Sequence, residues 1–177
     1  MILTIRNIVS IIKAQWVGQN ETAIVDSISI DSRSLQNDEN TLFFALYGPN
    51  HDGHLFIEEL IAKGVSHFVV RKIPEGLELK AKFLIVEDTL DALQKFAAYY
   101  RSQFDFPIIG ITGSNGKTTT KELIHAVLAQ KYNTLATIGN LNNHIGVPLT
   151  LLRFTKDTEI GIVEMGANHQ KEIAFLC

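Results

Sequence analysis

The stretch GITGSNGKTTTKE, residues 110–122, sets two glycines, a lysine and three threonines directly after the apolar run Pro107-Ile108-Ile109. Glycine-rich loops that join a strand to a helix bind phosphate, because main-chain N–H groups converge there and the helix start carries a partial positive charge. In that reading Gly113 and Gly116 let the backbone turn tightly around Ser114 and Asn115, Lys117 reaches a terminal phosphate, and the Thr118 hydroxyl holds Mg²⁺. Thr119 continues the loop into the helix. The spacing departs from G-x-x-x-x-G-K-[ST], since Ile111 stands five before Gly116, and the shorter core G-x-x-G-K-T recurs by chance. An ordinary polar turn is the competing reading. Three threonines make a poor first turn for a merely structural helix, which favours phosphate. Thr119 and Thr120 can equally face solvent or cap amides, and Lys121 reads as a solvated lysine.

Glu164 ends the apolar stretch GIVEMG. A carboxylate at the C-terminal end of a parallel strand sits on the edge where α/β ligand sites form, and its oxygens suit a hard cation; the alternative is a surface carboxylate at a strand end. Asn140, Asn142 and Asn143 precede Gly146 and Pro148. Side-chain amides donate and accept at once, which suits a peptide or sugar, yet asparagine-rich loops are also common turns. Asp31-Ser32-Arg33 reads by itself as an Asx-type turn with a surface arginine, and HDGH (51–54) offers two histidines three apart without further ligands, weak evidence for a metal.

These residues must be carried by strands and helices, and the pattern supplies both. AIVDSISID (23–31), TLFFAL (41–46), SHFVV (66–70) and KFLIVED (82–88) read as strands. HLFIEELIAKG reads as a helix stopped by Gly64, and TLDALQKFAAYYRSQF as a longer helix whose stripe is Leu90, Leu93, Phe96, Ala97, Tyr100 and Phe104, with Thr89 as its cap. Pro107 ends that helix, so a domain boundary is expected at about residue 105. Beyond it the order is strand (108–112), loop, helix (117–130), strand (134–138), asparagine-rich loop, short helix (147–153), strand (160–164) and a helix opening at 168. Strands alternating with helices imply a parallel sheet. Three short strands bury little area, so the chain reads as part of a larger protein.

The loop, GNLNNHIGVPLTLLRF (139–154) and EMGANHQKEIA (164–174) together closely resemble the Mur ligases, and residues 31–64 resemble their nucleotide-sugar-binding domain. The resemblance implies an α/β fold: a small N-terminal nucleotide-sugar-binding domain, residues 1–105, followed by the start of a P-loop-type parallel-sheet ATPase domain, residues 106–177. It implies an ATP-dependent amide-bond ligase of peptidoglycan precursor synthesis, with ATP and Mg²⁺ as cofactors and UDP-N-acetylmuramoyl-tripeptide and D-alanyl-D-alanine as partners. Residues 113–119 would bind ATP, Thr118 and Glu164 the metal, with Lys117 and Glu164 catalytic. Ser32, Arg33, Asn140, Asn142, Asn143 and His169 would contact substrate, and Asp52-Gly53-His54 would lie near the nucleotide sugar. His144 is given no role. In the family, ATP phosphorylates a carboxylate to an acyl phosphate, which an amine then displaces. The second metal-binding histidine, the carbamylated lysine, the adenine and ribose contacts and the amine-binding domain would lie beyond residue 177. The 177-residue chain is therefore expected to bind the UDP-sugar end at best and not to turn over. Rival readings are another ligase of the superfamily, a P-loop switch or kinase, and a non-enzymatic nucleotide-binding module.

Bulk composition sets the outer limits. Hydrophobic residues make up 46% and charged residues 20% of 177, ordinary for a globular chain that buries a core. A net charge of −3 offers no broad basic surface for nucleic acid or an anionic membrane. The single cysteine, Cys177, can form no internal disulfide, which fits a reducing compartment. The opening MILTIRNIVSIIKAQ has helical spacing broken by Arg6 and Lys13, so it reads as a packed helix and not a signal peptide, and no stretch approaches the ~20 apolar residues of a membrane span. A cytoplasmic monomer is expected.

Overall fold

The computed structural model describes residues 3–33, 35, 39–49, 51–167 and 171–177. They form two compact units, one ending at Phe96 and the other running from Ala97 to Cys177.

The first unit holds β1 (Leu3–Thr4), α1 (Ile5–Ile12), β2 (Gln15–Val17), β3 (Ile24–Val25), β4 (Ser27–Ser29), β5 (Thr41–Phe44), β6 (Tyr47–Gly48) and β7 (His51–Asp52). A 3-10 turn (Gly53–Phe56), α2 (Ile57–Ala62), β8 (His67–Val70), β9 (Lys82–Ile85) and the start of α3 (Thr89–Arg101) complete it. Its sheet runs β2-β9-β8-β5-β4, with β4, β5, β8 and β9 parallel and β2 antiparallel on the edge. Strands β5 and β8 are buried along their whole length, and this accounts for their continuous apolar reading. Phe43, Phe68 and Phe83 stand opposite one another across three strands, with ring centroids 6.1 and 5.8 Å apart, and Ile57 and Leu60 of α2 join the same cluster. Burying each such ring stabilises the fold by roughly 1.5–3 kcal/mol. Gly64 stops α2 as expected: at φ 92° its N–H donates to Ile61 O while Val65 N–H reaches back to Leu60 O.

Two local expectations change. The run 23–31 is two strands, because Asp26 leaves the ladder to donate to Asn40 O, so that β3 pairs with β1 and β4 with β5. Asp88, not Thr89, caps α3: its Oδ1 accepts from Leu90 N at 2.7 Å and Asp91 N at 3.0 Å, while Thr89 is buried. Helix α3 is also divided between the two units. Its first turns bury Leu93 and Phe96 in the first, whereas Tyr100 in its last turn donates to Phe154 O at 2.8 Å and packs edge-on to Phe104 in the second. The expected boundary near 105 lies past the end of this helix.

The second unit contains β10 (Ile108–Ile111), α4 (Lys117–Leu128), β11 (Thr134–Ala136), α5 (Gly146–Leu151), β12 (Ile160–Glu164) and α6 (Glu172–Leu176). All three strands are parallel in the order β10-β12-β11. The last strand in sequence is therefore central, and Ile111 is the register partner of Glu164. The helix expected to open at 168 is described only from Glu172.

Candidate active site

The loop between β10 and α4 emerges at the C-terminal edge of its sheet, one strand away from the end of β12. Two glycines make the turn: Gly113 has φ 149° and Gly116 φ 74°, conformations in which a side chain would be strained. Gly116 precedes the first residue of α4, and no side chain caps the helix. The amides of a helix's first turn have no intrahelical acceptor, and a helix start of this kind suits an anion. Lys117 lies over the loop with its Nζ donating to Gly113 O at 2.8 Å.

A cavity of about 290 Å³ is lined by Ser114, Asn115, Gly116, Lys117, Thr118, Thr119, Asn142 and Glu164. Thr118 Oγ1 donates to Glu164 Oε1 at 3.2 Å, and Asn142 Nδ2 donates to the same oxygen at 2.8 Å. Glu164 is 1% exposed, its N–H donates to Thr137 Oγ1 at 3.0 Å, and its Oε2 is buried without a hydrogen-bond partner. An octahedral Mg²⁺ with bonds of about 2.1 Å holds neighbouring oxygens about 3 Å apart, close to the Thr118–Glu164 separation, so these residues fit the ion. The described residues hold no cluster of three His, Cys, Asp or Glu around it, and Mg²⁺ habitually completes its shell with water and phosphate oxygens.

Other expected residues are placed differently. Asn140 is exposed, and its carbonyl accepts from Asn142 N. Asn143 Oδ1 accepts from Ile145 N and Gly146 N, opening α5. Pro148 falls within the first turn of α5, the part of a helix that best tolerates proline. Lys121, read from sequence as solvated, is wholly buried: its Nζ donates to Thr137 O at 2.7 Å and Gly139 O at 3.2 Å, and pairs with Glu122 Oε1 at 2.9 Å. That ion pair holds the Glu122 carboxyl below the usual carboxylate range. His169 lies outside the described residues.

In the first unit, Arg33 is clamped by Asp31, Nε at 2.9 Å and Nη2 at 2.7 Å, and this pair lowers the Asp31 carboxyl to about 2. The Ser32 carbonyl accepts from Lys63 Nζ at 3.4 Å. Neither lines the cleft formed by Tyr47, Asp52, His54, Arg71, Lys72, Val86 and Glu87. There both His54 nitrogens are engaged, Nδ1 with Asp52 Oδ1 at 2.7 Å and Nε2 accepting from Arg71 N at 3.0 Å, so HDGH is not a metal pair. Burial pushes the Asp52 carboxyl up, but hydrogen bonds from the His54 amide and ring outweigh it and leave it lowered. Arg71 stacks over Tyr47, 4.9 Å from the ring centroid. Arg71 and Lys72 had no motif to mark them.

Comparison with known proteins decides the family. The model of the Mur ligase family catalytic domain matches residues 24–101, and that of the Mur ligase middle domain matches residues 111–177. The chain belongs to the Mur ligase family. Among its relatives, the UDP-N-acetylmuramoyl-tripeptide--D-alanyl-D-alanine ligase of Bacillus subtilis is 41% identical over 98% of this chain and 38% of its own length. That of Escherichia coli is 39% identical over 98% of this chain and 37% of its own length. The chain thus spans a little over a third of these curated relatives. MurF from Acinetobacter baumannii superposes with a TM-score of 0.91 at 34% identity, covering 99% of this chain and 38% of that one. MurF from Thermotoga maritima, solved in complex with ADP, gives 0.74 at 34% identity over 86% of this chain and 35% of that one. These Mur ligases share the mixed α/β architecture with parallel sheets described above.

Proposed function

We propose that this chain is the nucleotide-sugar-binding domain and the first part of the ATP-binding domain of a ligase that joins D-alanyl-D-alanine to UDP-N-acetylmuramoyl-tripeptide at the expense of ATP. The observation that carries this reading is the meeting of Thr118 with Glu164 at the mouth of the glycine loop, in a chain whose relatives bear that ligase's name.

A carboxylate is a poor electrophile, and transfer of the ATP γ-phosphoryl group to it gives an acyl phosphate that an amine can displace. The loop amides at the start of α4 would bind the phosphates, and Lys117, released from Gly113 O, would neutralise charge on the transferring group. Thr118 and Glu164 would hold Mg²⁺, which would supply positive charge against the negative charge of the phosphates. Asn142 keeps Glu164 Oε1 turned toward Thr118. Substrate contact by Asn140, Asn142, Asn143 and His169, and by Ser32 and Arg33 in the first unit, belongs to this proposal, as do a cytoplasmic location and a monomeric state.

The test is to incubate the full-length gene product with UDP-muramoyl-tripeptide, ATP and D-alanyl-D-alanine and weigh the product. One dipeptide added per phosphate released is expected. Addition of a single amino acid would point instead to another ligase of the family, and phosphate release indifferent to the peptide substrate to a plain NTPase. The 177-residue chain alone is expected to release no phosphate.

A further inference from the structure

Lys121 places a positive charge, 0% exposed, beneath the phosphate loop, where the phosphate chemistry gives it no task. Its hydrogen bonds go to the carbonyls of Thr137 and Gly139, on the segment that leads from β11 to Asn142. Close to it lies Glu164 Oε2, at 3.9 Å, an oxygen with no hydrogen-bond partner among the described residues. The two oxygens of Glu164 thus differ in surroundings: Oε1 receives Thr118 and Asn142, whereas Oε2, without a hydrogen-bond partner among the described residues, faces the buried ammonium.

We propose that Lys121 is a positioning residue that holds Glu164 for one-oxygen coordination of the divalent ion, keeping Oε2 on its own side and Oε1 toward Thr118. This rests on the reading of Thr118 and Glu164 as metal ligands. Two constraints act together. The ammonium attracts Oε2 in a water-excluded pocket, where charge attraction is screened least. It also ties down Thr137, whose hydroxyl accepts from the Glu164 N–H, so backbone and side chain of Glu164 are fixed by one group. Outer partners of this kind typically change metal affinity by about 10–100-fold when removed. Glu122, half of the ion pair on the exposed side, can relax into water without disturbing Glu164.

The experiment measures Mn²⁺ binding to the full-length protein saturated with ADP by electron paramagnetic resonance, alongside metal-free ADP binding. Lys121→Met is expected to weaken Mn²⁺ by about 10–100-fold while metal-free ADP affinity is unchanged. In a Glu164→Gln background the same substitution should cost nothing further. Unchanged Mn²⁺ affinity in Lys121→Met overturns the inference and leaves the metal assignment standing. Wild type without metal-linked ADP binding overturns the metal assignment itself. Should Lys121→Met fail to fold, a crystal structure of the wild type with Mg²⁺ and ADP decides: Oε1 alone on the ion with Oε2 beside Lys121 supports the proposal, and a bidentate Glu164 or coordination through Oε2 refutes it.

Discussion

Thr118 Oγ1 and Glu164 Oε1 lie 3.2 Å apart although 46 residues separate them in the chain. The strand order is the cause. Because β12 inserts beside β10, the end of the last strand arrives next to the loop that leaves the first, with Ile111 and Glu164 in register. The substitution Glu164→Gln keeps an acceptor for Thr118 and Asn142 but removes the charge. Under the proposed function, turnover by the full-length protein is expected to fall on the order of 100-fold or more, while ADP binding without metal stays within about twofold. Calorimetric titration with ADP, with and without Mg²⁺, checks this; an unchanged metal dependence would refute the role given to Glu164.

The Lys117 side chain donates to the loop it leaves, at Gly113 O. Breaking that bond frees the ammonium for a phosphate at little structural cost. Lys117→Met is therefore expected to lower ATP turnover by about 10²–10³-fold and leave affinity for UDP-muramoyl-tripeptide unaltered. Steady-state kinetics together with a thermal shift by the UDP-sugar separate the two effects.

How far the site could be read in advance follows from how local each feature is. The loop from Gly113 to Thr119 is contiguous, so its place between a strand and a helix was legible in one line of text. Glu164 was legible from the parallel alternation, since any strand ending in that sheet points to the same edge. Lys121 was not: its burial depends on Thr137 and Gly139 bringing carbonyls under α4, a tertiary arrangement that no spacing within the helix encodes. Asp88 and Thr89 were confused because either residue type caps a helix, and burial of Thr89 decided between them. In the first unit the fully buried strands announced themselves by continuous apolar runs, whereas the cleft around His54 draws Tyr47, Arg71 and Glu87 from separate segments.

His67 gives the first unit an acid sensitivity of known sign. Burial lowers its ring below the ordinary value of 6.5, and the nearby charge of Lys82 lowers it further. The folded state thus holds the neutral ring, while the unfolded chain takes up a proton near 6.5. Below that value the unfolded state binds more protons, so stability falls with pH down through the depressed folded value. Urea unfolding midpoints are expected to drop below pH 6.5, and His67→Gln should flatten that slope. A slope identical in the variant would assign the acid sensitivity elsewhere.

Gly146 opens α5 against the chain that carries Asn142. A Cβ there would stand 2.3 Å from the carbonyl carbon of Leu141 and 2.5 Å from its Cα, and neither can rotate away because both are backbone. Gly146→Ala must therefore push the 140–142 segment, at a cost of about 1–3 kcal/mol for overpacking. Asn142 moves with it and loosens its hold on Glu164 Oε1. Two readouts should change together: the unfolding temperature should fall by several degrees, and Mg²⁺-linked ADP binding should weaken. Gly48→Ala, where an added Cβ meets nothing within 4 Å among the described residues, is the matched control and should leave both within error. Were Gly146→Ala to lose stability while metal-linked binding held, the Asn142 contact would be packing alone, without influence on the carboxylate.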